Sequence, residues 1–220
     1  MSRRTSPPFR ADHVGSLLRP PRLLQARDDF ATGRITADAL RAVEDEEIPG
    51  AIAMQEEVGL QSATDGEFRR ASWHMDFIYA LGGISKLPGN LAVKFRNASG
   101  EIEFTPASIR VDGKIRINDT IFEDAFTFLR DHVSTAVPKL TIPSPNMVHY
   151  RGGPASVDES VYPDIEEFWS DLAAAYAEEV RRLAALGCSY LQFDDTSLAY
   201  LNDPDQRAEI AERGEDAEHL

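Results

Sequence analysis

The chain has 220 residues, 42% of them hydrophobic, enough for one large domain or two small ones with a sizeable core. Asp and Glu number 37 against 23 Lys and Arg, and a net charge of −14 argues against nucleic acid or an anionic membrane as partner. The single cysteine, Cys188, excludes an intrachain disulfide and a zinc site built on several cysteines, and is expected as a small buried residue. No secretory signal and no run of membrane-spanning length is present, so a cytoplasmic protein is expected.

In chain order, residues 1–8 read as a disordered leader and Phe9–Ser16 as a first strand ending in a glycine turn. Pro20-Pro21 opens a helix over about 21–33, closed by Gly33. Thr36 is a candidate N-cap for the next helix. Leu40, Val43, Ile48, Ile52, Gln55 and Val58 carry its helical spacing to Gly59, and Pro49-Gly50 predicts a kink or break within it. Residues 60–65 read as a second strand and 71–80 as a helix on a loop.

The pattern then changes to alternation. Leu91–Phe95, Ile102–Phe104 and Ile109–Val111, with turn residues at Asn97-Ala98-Ser99-Gly100 and Asp112-Gly113-Lys114, predict an antiparallel hairpin excursion over 90–118. A helix over about 120–134 and a short strand at 139–143 follow. Ile165, Phe168, Trp169, Leu172, Tyr176, Val180 and Leu183 predict a helix over 164–186, with Trp169 in the core and Gly187 as the cap. A strand at 189–194 and a helix at 204–213, capped by Asp203, complete the reading.

Strands alternating with helices imply an α/β fold with parallel pairing. The parallel strands would be 9–15, 60–65, 139–143 and 189–194. A closed TIM-type (β/α)8 barrel takes about eight strands and ~250 residues. The expectation is therefore an open sheet, or the front half of such a barrel with 9–220 as one partial domain.

Three polar segments sit where apolar runs stop: His13-Val14-Gly15-Ser16, Asp65-Gly66-Glu67-Phe68 and Gln192-Phe193-Asp194-Asp195. Parallel strands would bring them to one mouth, where such folds place their chemistry. Ser16, Glu67 and Asp194 together would receive a group bearing an ammonium and a carboxylate. Read singly, Glu67 and Asp194 are equally ordinary strand-end charges. Only one of Asp194 and Asp195 should face the site, because neighbouring strand residues point to opposite faces. His13 would face the mouth or be a hydrogen-bonded structural histidine.

These segments resemble the catalytic domain of the cobalamin-independent methionine synthase family, in its shorter stand-alone bacterial form. Arg10-Ala-Asp-His-Val-Gly-Ser16 with Leu18-Arg19-Pro20, Thr64-Asp-Gly-Glu-Phe-Arg-Arg70, Thr141-Ile-Pro-Ser-Pro145 and Leu191-Gln-Phe-Asp-Asp195 carry the resemblance, over about residues 9–220. It implies transfer of a methyl group from a methyl-tetrahydrofolate-type donor to the thiol of homocysteine or a related thiol, held as thiolate by zinc. By position, Val14 and Ser16 would hold the amino-acid carboxylate, and Glu67 and Asp194 the ammonium. Arg69 and Arg70 would meet a substrate carboxylate or a folate tail, or else be salt-bridged arginines. Trp73, with His74 and Tyr79, would floor a pterin pocket or belong to the core. The family's zinc ligands, a His and a Cys two residues apart, a Glu and a late Cys, are expected beyond Leu220. His219 is followed by no Cys, so no complete zinc site is expected within these residues. Expected partners are an amino-acid thiol and methyl-folate, with homo-oligomerisation open. The alternative is a truncated, inactive fragment that self-associates or needs a partner to close the barrel. A glycoside hydrolase using Glu67 and Asp194 as its carboxylate pair is the remaining class.

Overall fold

The structure, a computed structural model, describes residues 6–87, 93–97, 100–104, 108–150, 152–212 and 214–218, with the backbone alone at 93–97, 100–104 and 108. Residues 1–5 of the expected leader, Leu91, Ala92, the Ala98-Ser99 turn and His219 lie outside them. In chain order the first elements are α1 (Pro21–Ala31), α2 (Ala37–Glu57), β1 (Ser62–Ala63), α3 (Met75–Ile78) and β2 (Gly82–Leu87). Next come β3 (Val93–Asn97), β4 (Gly100–Phe104), β5 (Ser108–Arg116) and α4 (Glu123–His132). The last are β6 (Val137–Pro138), β7 (Leu140–Pro143), α5 (Ile165–Ala185), β8 (Leu191–Asp194), α6 (Ser197–Leu201) and α7 (Pro204–Glu212), with short 3-10 turns at Pro145–Val148 and Pro154–Ser156. None of the described helices is long and apolar enough to cross a membrane.

The chain divides into two compact units: Met1–Trp73 with Phe122–Ile142 and Arg181–Asp194, and His74–Ile121 with Pro143–Val180 and Asp195–Leu220. In the first, β1 pairs in parallel with β6, Ser62 opposite Val137 and Ala63 opposite Pro138. The chain runs on through Lys139, whose N–H donates to the Ala63 carbonyl (2.9 Å), into β7, which pairs with β8. One extended run therefore takes β1 on one part of its length and β8 on the next. This is an α/β arrangement with parallel pairing, as the alternation of elements implied.

Two local expectations are corrected in this unit. Pro49 does not break α2, which runs unbroken through it. Ile48, Ala51 and Ile52 join Leu23, Ala63, Phe68, Leu129 and Ala136 in one buried cluster. Burial of a large aliphatic side chain contributes about 1.5–3 kcal/mol. Several such side chains offset the ~3 kcal/mol cost of an interior proline. Thr36 caps the helix as expected, its side chain accepting from the Ala39 N–H (3.2 Å). The second correction is Phe9–Ser16, which forms no strand. Its polar groups go elsewhere: the Gly15 carbonyl accepts from Thr64 Oγ1 (2.6 Å) and that of His13 from Lys139 Nζ.

In the second unit β2 pairs antiparallel with β5, Leu87 opposite Ser108 and Gly82 opposite Arg116, with a register shift between Gly82 and Ile84. There Gly83 adopts φ +91°, and a Cβ on it would lie 2.5 Å from the Gly113 and Lys114 carbonyls. Only glycine fits that crossing. β3 and β4 form the inner hairpin, so the excursion is antiparallel as read but begins near 82. Phe77 packs against Tyr176 (5.4 Å between centroids) and Phe168 against Tyr162 (5.6 Å). Trp169, expected in the core, is half-buried at its edge, and Cys188 of the first unit is likewise half-buried.

Candidate functional site

The site is built on the turn after β1. Gly66 and Glu67 both take left-handed backbone, φ +67° and +57°. Glycine does so freely, whereas a side chain there costs roughly 1–2 kcal/mol. Bonds from three directions hold Glu67 in place. Its N–H donates to Asp65 Oδ1 (2.9 Å) and its carbonyl accepts from Arg19 Nη2 (2.8 Å), which also bonds the Arg70 carbonyl (2.8 Å). Its carboxylate accepts from Thr141 Oγ1 of β7 (2.7 Å) and from Arg70 Nη1 (3.4 Å). Both of these bonds go to Oε1. Glu67 is only 3% exposed.

The His13–Ser16 segment meets this turn through Gly15. A Cβ there would lie 2.9 Å from Thr141 Oγ1 and 3.0 Å from Glu67 Oε1, so only a bare backbone approaches this closely. The Leu17 N–H donates to the Gly66 carbonyl (3.1 Å). Three of the four sequence segments are thus joined by direct contact.

Arg70 ties in the fourth. It is buried, donates from Nη2 to the Thr141 carbonyl (2.7 Å) and from Nη1 to the Trp73 carbonyl (3.3 Å), and lies 4.2 Å from the Phe122 ring centroid. Asp194 ends β8 half-buried and accepts from the Gln192 amide. Burial raises its pKa, opposed by that amide and by the charges of Lys139 and Arg70. Arg70 thus acts on Asp194 through its charge and on Glu67 through a bond.

The other predicted residues are placed as follows. Val14 is 60% exposed and Ser16 is exposed. His13 Nε2 donates to Gln55 Oε1 of α2 (2.7 Å), which ties the ring to the scaffold. Arg69 turns to α2, pairing with Glu44 (3.3 Å) and Asp45 (2.6 Å) over the Phe128 ring. It does not join Glu67. Trp73 is half-buried and meets Arg70 through its carbonyl. His74 and Tyr79 belong to the second unit, where Lys86 Nζ lies 4.3 Å from the Tyr79 ring. Asp195 also belongs to that unit and closes the turn into α6, accepting from the Ser197 N–H (2.7 Å) and from Asn146 (3.3 Å). Those bonds outweigh burial and lower its pKa.

Sequence reasoning did not single out Thr141, Gly15, Arg19 or Gln55. Thr141 and Arg19 stood inside the quoted segments, and the Thr-Ile-Pro and Leu-Arg-Pro contexts were the available signal. Gln55 was read only as a helix position. It is 1% exposed and uses both ends of its amide, donating to the Ala51 and Thr64 carbonyls and accepting from the Thr64 N–H.

A second polar cluster lies at the other ends of these strands. Asp12 accepts from Lys139 Nζ (3.0 Å), Ser62 Oγ (2.8 Å) and Tyr190 OH. Burial raises the Asp12 pKa, but these bonds together bring it below the usual carboxylate value. A groove of about 440 Å³ lies elsewhere in this unit, lined by Leu17, Leu18, Pro20, Met54 and Phe68 among others. Among the described residues no group of three His, Cys, Asp or Glu side chains is arranged to hold a metal ion.

No family model matches the chain. The Bacillus subtilis proteins YxjH and YxjG, both described as uncharacterized, are each 39% identical to it, over 213 and 197 residues. These matches cover 97% and 89% of this chain and 55% and 50% of those proteins. A methionine synthase of Pyrococcus abyssi is 27% identical over 194 residues, 88% of this chain and 53% of that protein. Among solved structures, a Listeria monocytogenes protein provisionally described as a vitamin-B12-independent methionine synthase superposes with TM-score 0.75 at 40% identity. That superposition covers 91% of this chain and 56% of the other. A B12-independent methionine synthase from Shewanella, in complex with selenomethionine, gives TM-score 0.55 at 19% identity over 80% of this chain and 47% of its own, a likeness of fold. The chain spans about half the length of the curated relatives it matches.

Proposed function

We infer that this chain, a relative of the cobalamin-independent methionine synthases over about half of their length, supplies the amino-acid-binding part of a methyltransferase that acts on homocysteine or a related thiol. In this reading β1, the β6–β7 run and β8 are consecutive strands of a (β/α)8-type barrel, and 9–220 is one part of that domain. Glu67 and Asp194 accept hydrogen bonds from the substrate ammonium. Val14 and Ser16, exposed beside Gly15, take its carboxylate through a backbone N–H and a hydroxyl. A methyl-folate-type donor supplies the methyl group. Zinc, when bound by a complete site, would hold the thiol as thiolate. The residues described in this chain hold and orient the amino-acid end.

The observation that carries this reading is the junction of Thr141 and Glu67 (2.7 Å) beneath a Gly15 backbone too close to admit a Cβ, with the Arg70 charge reaching Asp194. Two carboxylates around one ammonium make charge-assisted bonds, each stronger than a neutral one. The test is calorimetric titration of the 220-residue chain with methionine and with homocysteine. Saturable binding, lost in Glu67→Gln and in Asp194→Asn, is expected. Absence of binding to the wild-type chain would sink the proposal.

A second reading, self-association of the chain, is favoured by one observation. Leu18 is 98% exposed and Met54 44% exposed on the apolar groove. Size-exclusion chromatography across a concentration series decides it, a constant monomer volume counting against.

A further inference from the structure

Arg70 bonds Glu67 (3.4 Å) and reaches Asp194 through its charge alone. Resting on the reading above, we propose that Arg70 is the positioning residue of the ammonium subsite, fixing the Glu67 carboxylate and leaving the pair of acids with a deficit of one positive charge. The ligand class follows from that count. Glu67 and Asp194 carry two negative charges when ionised, Arg70 carries one positive charge, and Lys139 is answered by Asp12 (3.0 Å). One ammonium completes the balance. The subsite thus selects a monocationic amine such as the α-ammonium of a zwitterionic amino acid, and disfavours neutral amides.

The geometry supports a positioning role. Arg70 is 5% exposed and its guanidinium is spent on protein groups: the Thr141 and Trp73 carbonyls and Glu67 Oε1. The Phe122 ring lies 4.2 Å from it. A side chain so engaged does not reach out for substrate. Thr141 repeats the arrangement, since its carbonyl holds Arg70 while its hydroxyl holds the same Glu67 oxygen (2.7 Å). Oε1 is thereby anchored from two sides, which directs Oε2 to the ligand. Arg19, bonding the carbonyls of Glu67 and Arg70 with one nitrogen, fixes the backbone beneath both.

Charge and geometry separate in experiment. Asp194 sits among Gln192, Lys139 and Arg70, and burial raises its pKa while the two cations hold it down. Removing the Arg70 charge raises it further, so the acidic limb of ligand binding moves to higher pH. Removing the Thr141 hydroxyl takes one hydrogen bond from Glu67 but leaves both cations acting on Asp194, so it moves that limb less. The experiment is calorimetric titration of the full chain with methionine from pH 4.5 to 8, using wild type, Arg70→Gln, Arg70→Lys and Thr141→Val. Arg70→Gln should weaken binding about tenfold or more at pH 7, as expected for a charge-assisted bond, and shift the limb upward. Arg70→Lys should restore the limb without full affinity, because a point charge cannot hold both carbonyls. Thr141→Val should weaken binding and shift the limb less than Arg70→Gln does. A wild-type chain that binds no methionine overturns the functional reading and this role with it. Wild-type binding with Arg70→Gln unchanged in affinity and limb overturns the role of Arg70 alone. Should Arg70→Gln fail to fold by circular dichroism, Arg70→Lys and Thr141→Val carry the test, and wild-type affinity in both overturns the assignment.

Discussion

Gly15→Ala tests the packing of the site most directly. The added methyl would lie 2.9 Å from Thr141 Oγ1, 3.1 Å from Thr141 Cγ2 and 3.0 Å from Glu67 Oε1. Carbon contacts of this kind relax toward about 3.5–4.0 Å, so something must move by half an ångström or more. The backbone cannot easily retreat, because the Gly15 carbonyl is held by Thr64 Oγ1 at 2.6 Å. Two outcomes compete. Tolerating the overlap costs about 1–3 kcal/mol. Turning Thr141 away sacrifices its bond to the buried Glu67 carboxylate, about 1.5–3 kcal/mol for a charged acceptor. The cheaper route sets the net loss, about 1–3 kcal/mol either way. Urea denaturation of Gly15→Ala, Thr141→Ala and the double variant measures it. Thr141→Ala removes two of the three crowding atoms, so the glycine substitution should cost at least ~1 kcal/mol less in that background, a coupling typical of residues in contact. Additivity within ~0.5 kcal/mol, or a Gly15→Ala protein as stable as wild type, would refute the reasoning.

Two further substitutions test groups outside the site. Asp12→Asn should lower stability at pH 7 by about 2–3 kcal/mol, because it strands the fully buried Lys139 ammonium; the ~3–5 kcal/mol of a fully buried pair is reduced because Asp12 remains 20% exposed. Lys139→Met should cost less than half of that, since it leaves Asp12 partly in water, and urea midpoints in the reverse order would contradict the assignment. His149, in the second unit, is buried with no hydrogen-bond partner for either ring nitrogen among the described residues, and its pKa is lowered from 6.5 to about 4 by burial. A base depressed in the folded state binds its proton first in the unfolded chain. The stability it contributes is therefore present above pH 6.5 and is lost as the pH falls toward 4. Wild type should lose about 2 kcal/mol from this group between pH 7 and pH 5. His149→Leu should remove that part of the acid sensitivity, and a pH dependence of urea unfolding identical in the two proteins would exclude it.

Legibility in the sequence followed the range of the interaction. The proline start and glycine stop behind α1 and the apolar periodicity behind α4 and α5 are local, and those helices stand within a few residues of their predicted bounds. Of the kink or break expected at Pro49, the break does not occur, because one lost backbone bond is outweighed by the buried cluster of Ile48, Ala51 and Ile52. The Phe9–Ser16 segment misled for a different reason. Its apolar residues suggested a strand, but its hydrogen-bond partners are side chains of Thr64 and Lys139, far away in the chain. At the site, Glu67 and Asp194 could be named from their place at the ends of apolar runs. Whether Arg69 or Arg70 would join them could not, because adjacent residues in a turn diverge by backbone geometry. Arg69 went to α2, and Arg70 went under the carboxylate.

The sequence by itself determined the alternation of strands and helices, the antiparallel excursion, the acidic surface and the short polar segments that end the strands. Each is a property of spacing and composition within some twenty residues. The tertiary structure alone decided which charges became partners. It brought the Gly15 backbone so close to Glu67, across 52 positions, that an added Cβ would lie 3.0 Å from the carboxylate, set Thr141 on the same oxygen, buried Lys139 beside Asp12 and sent Asp195 away to close a turn. Those choices depend on desolvation and on distances between remote parts of the chain, quantities that exist only once the core has closed around them.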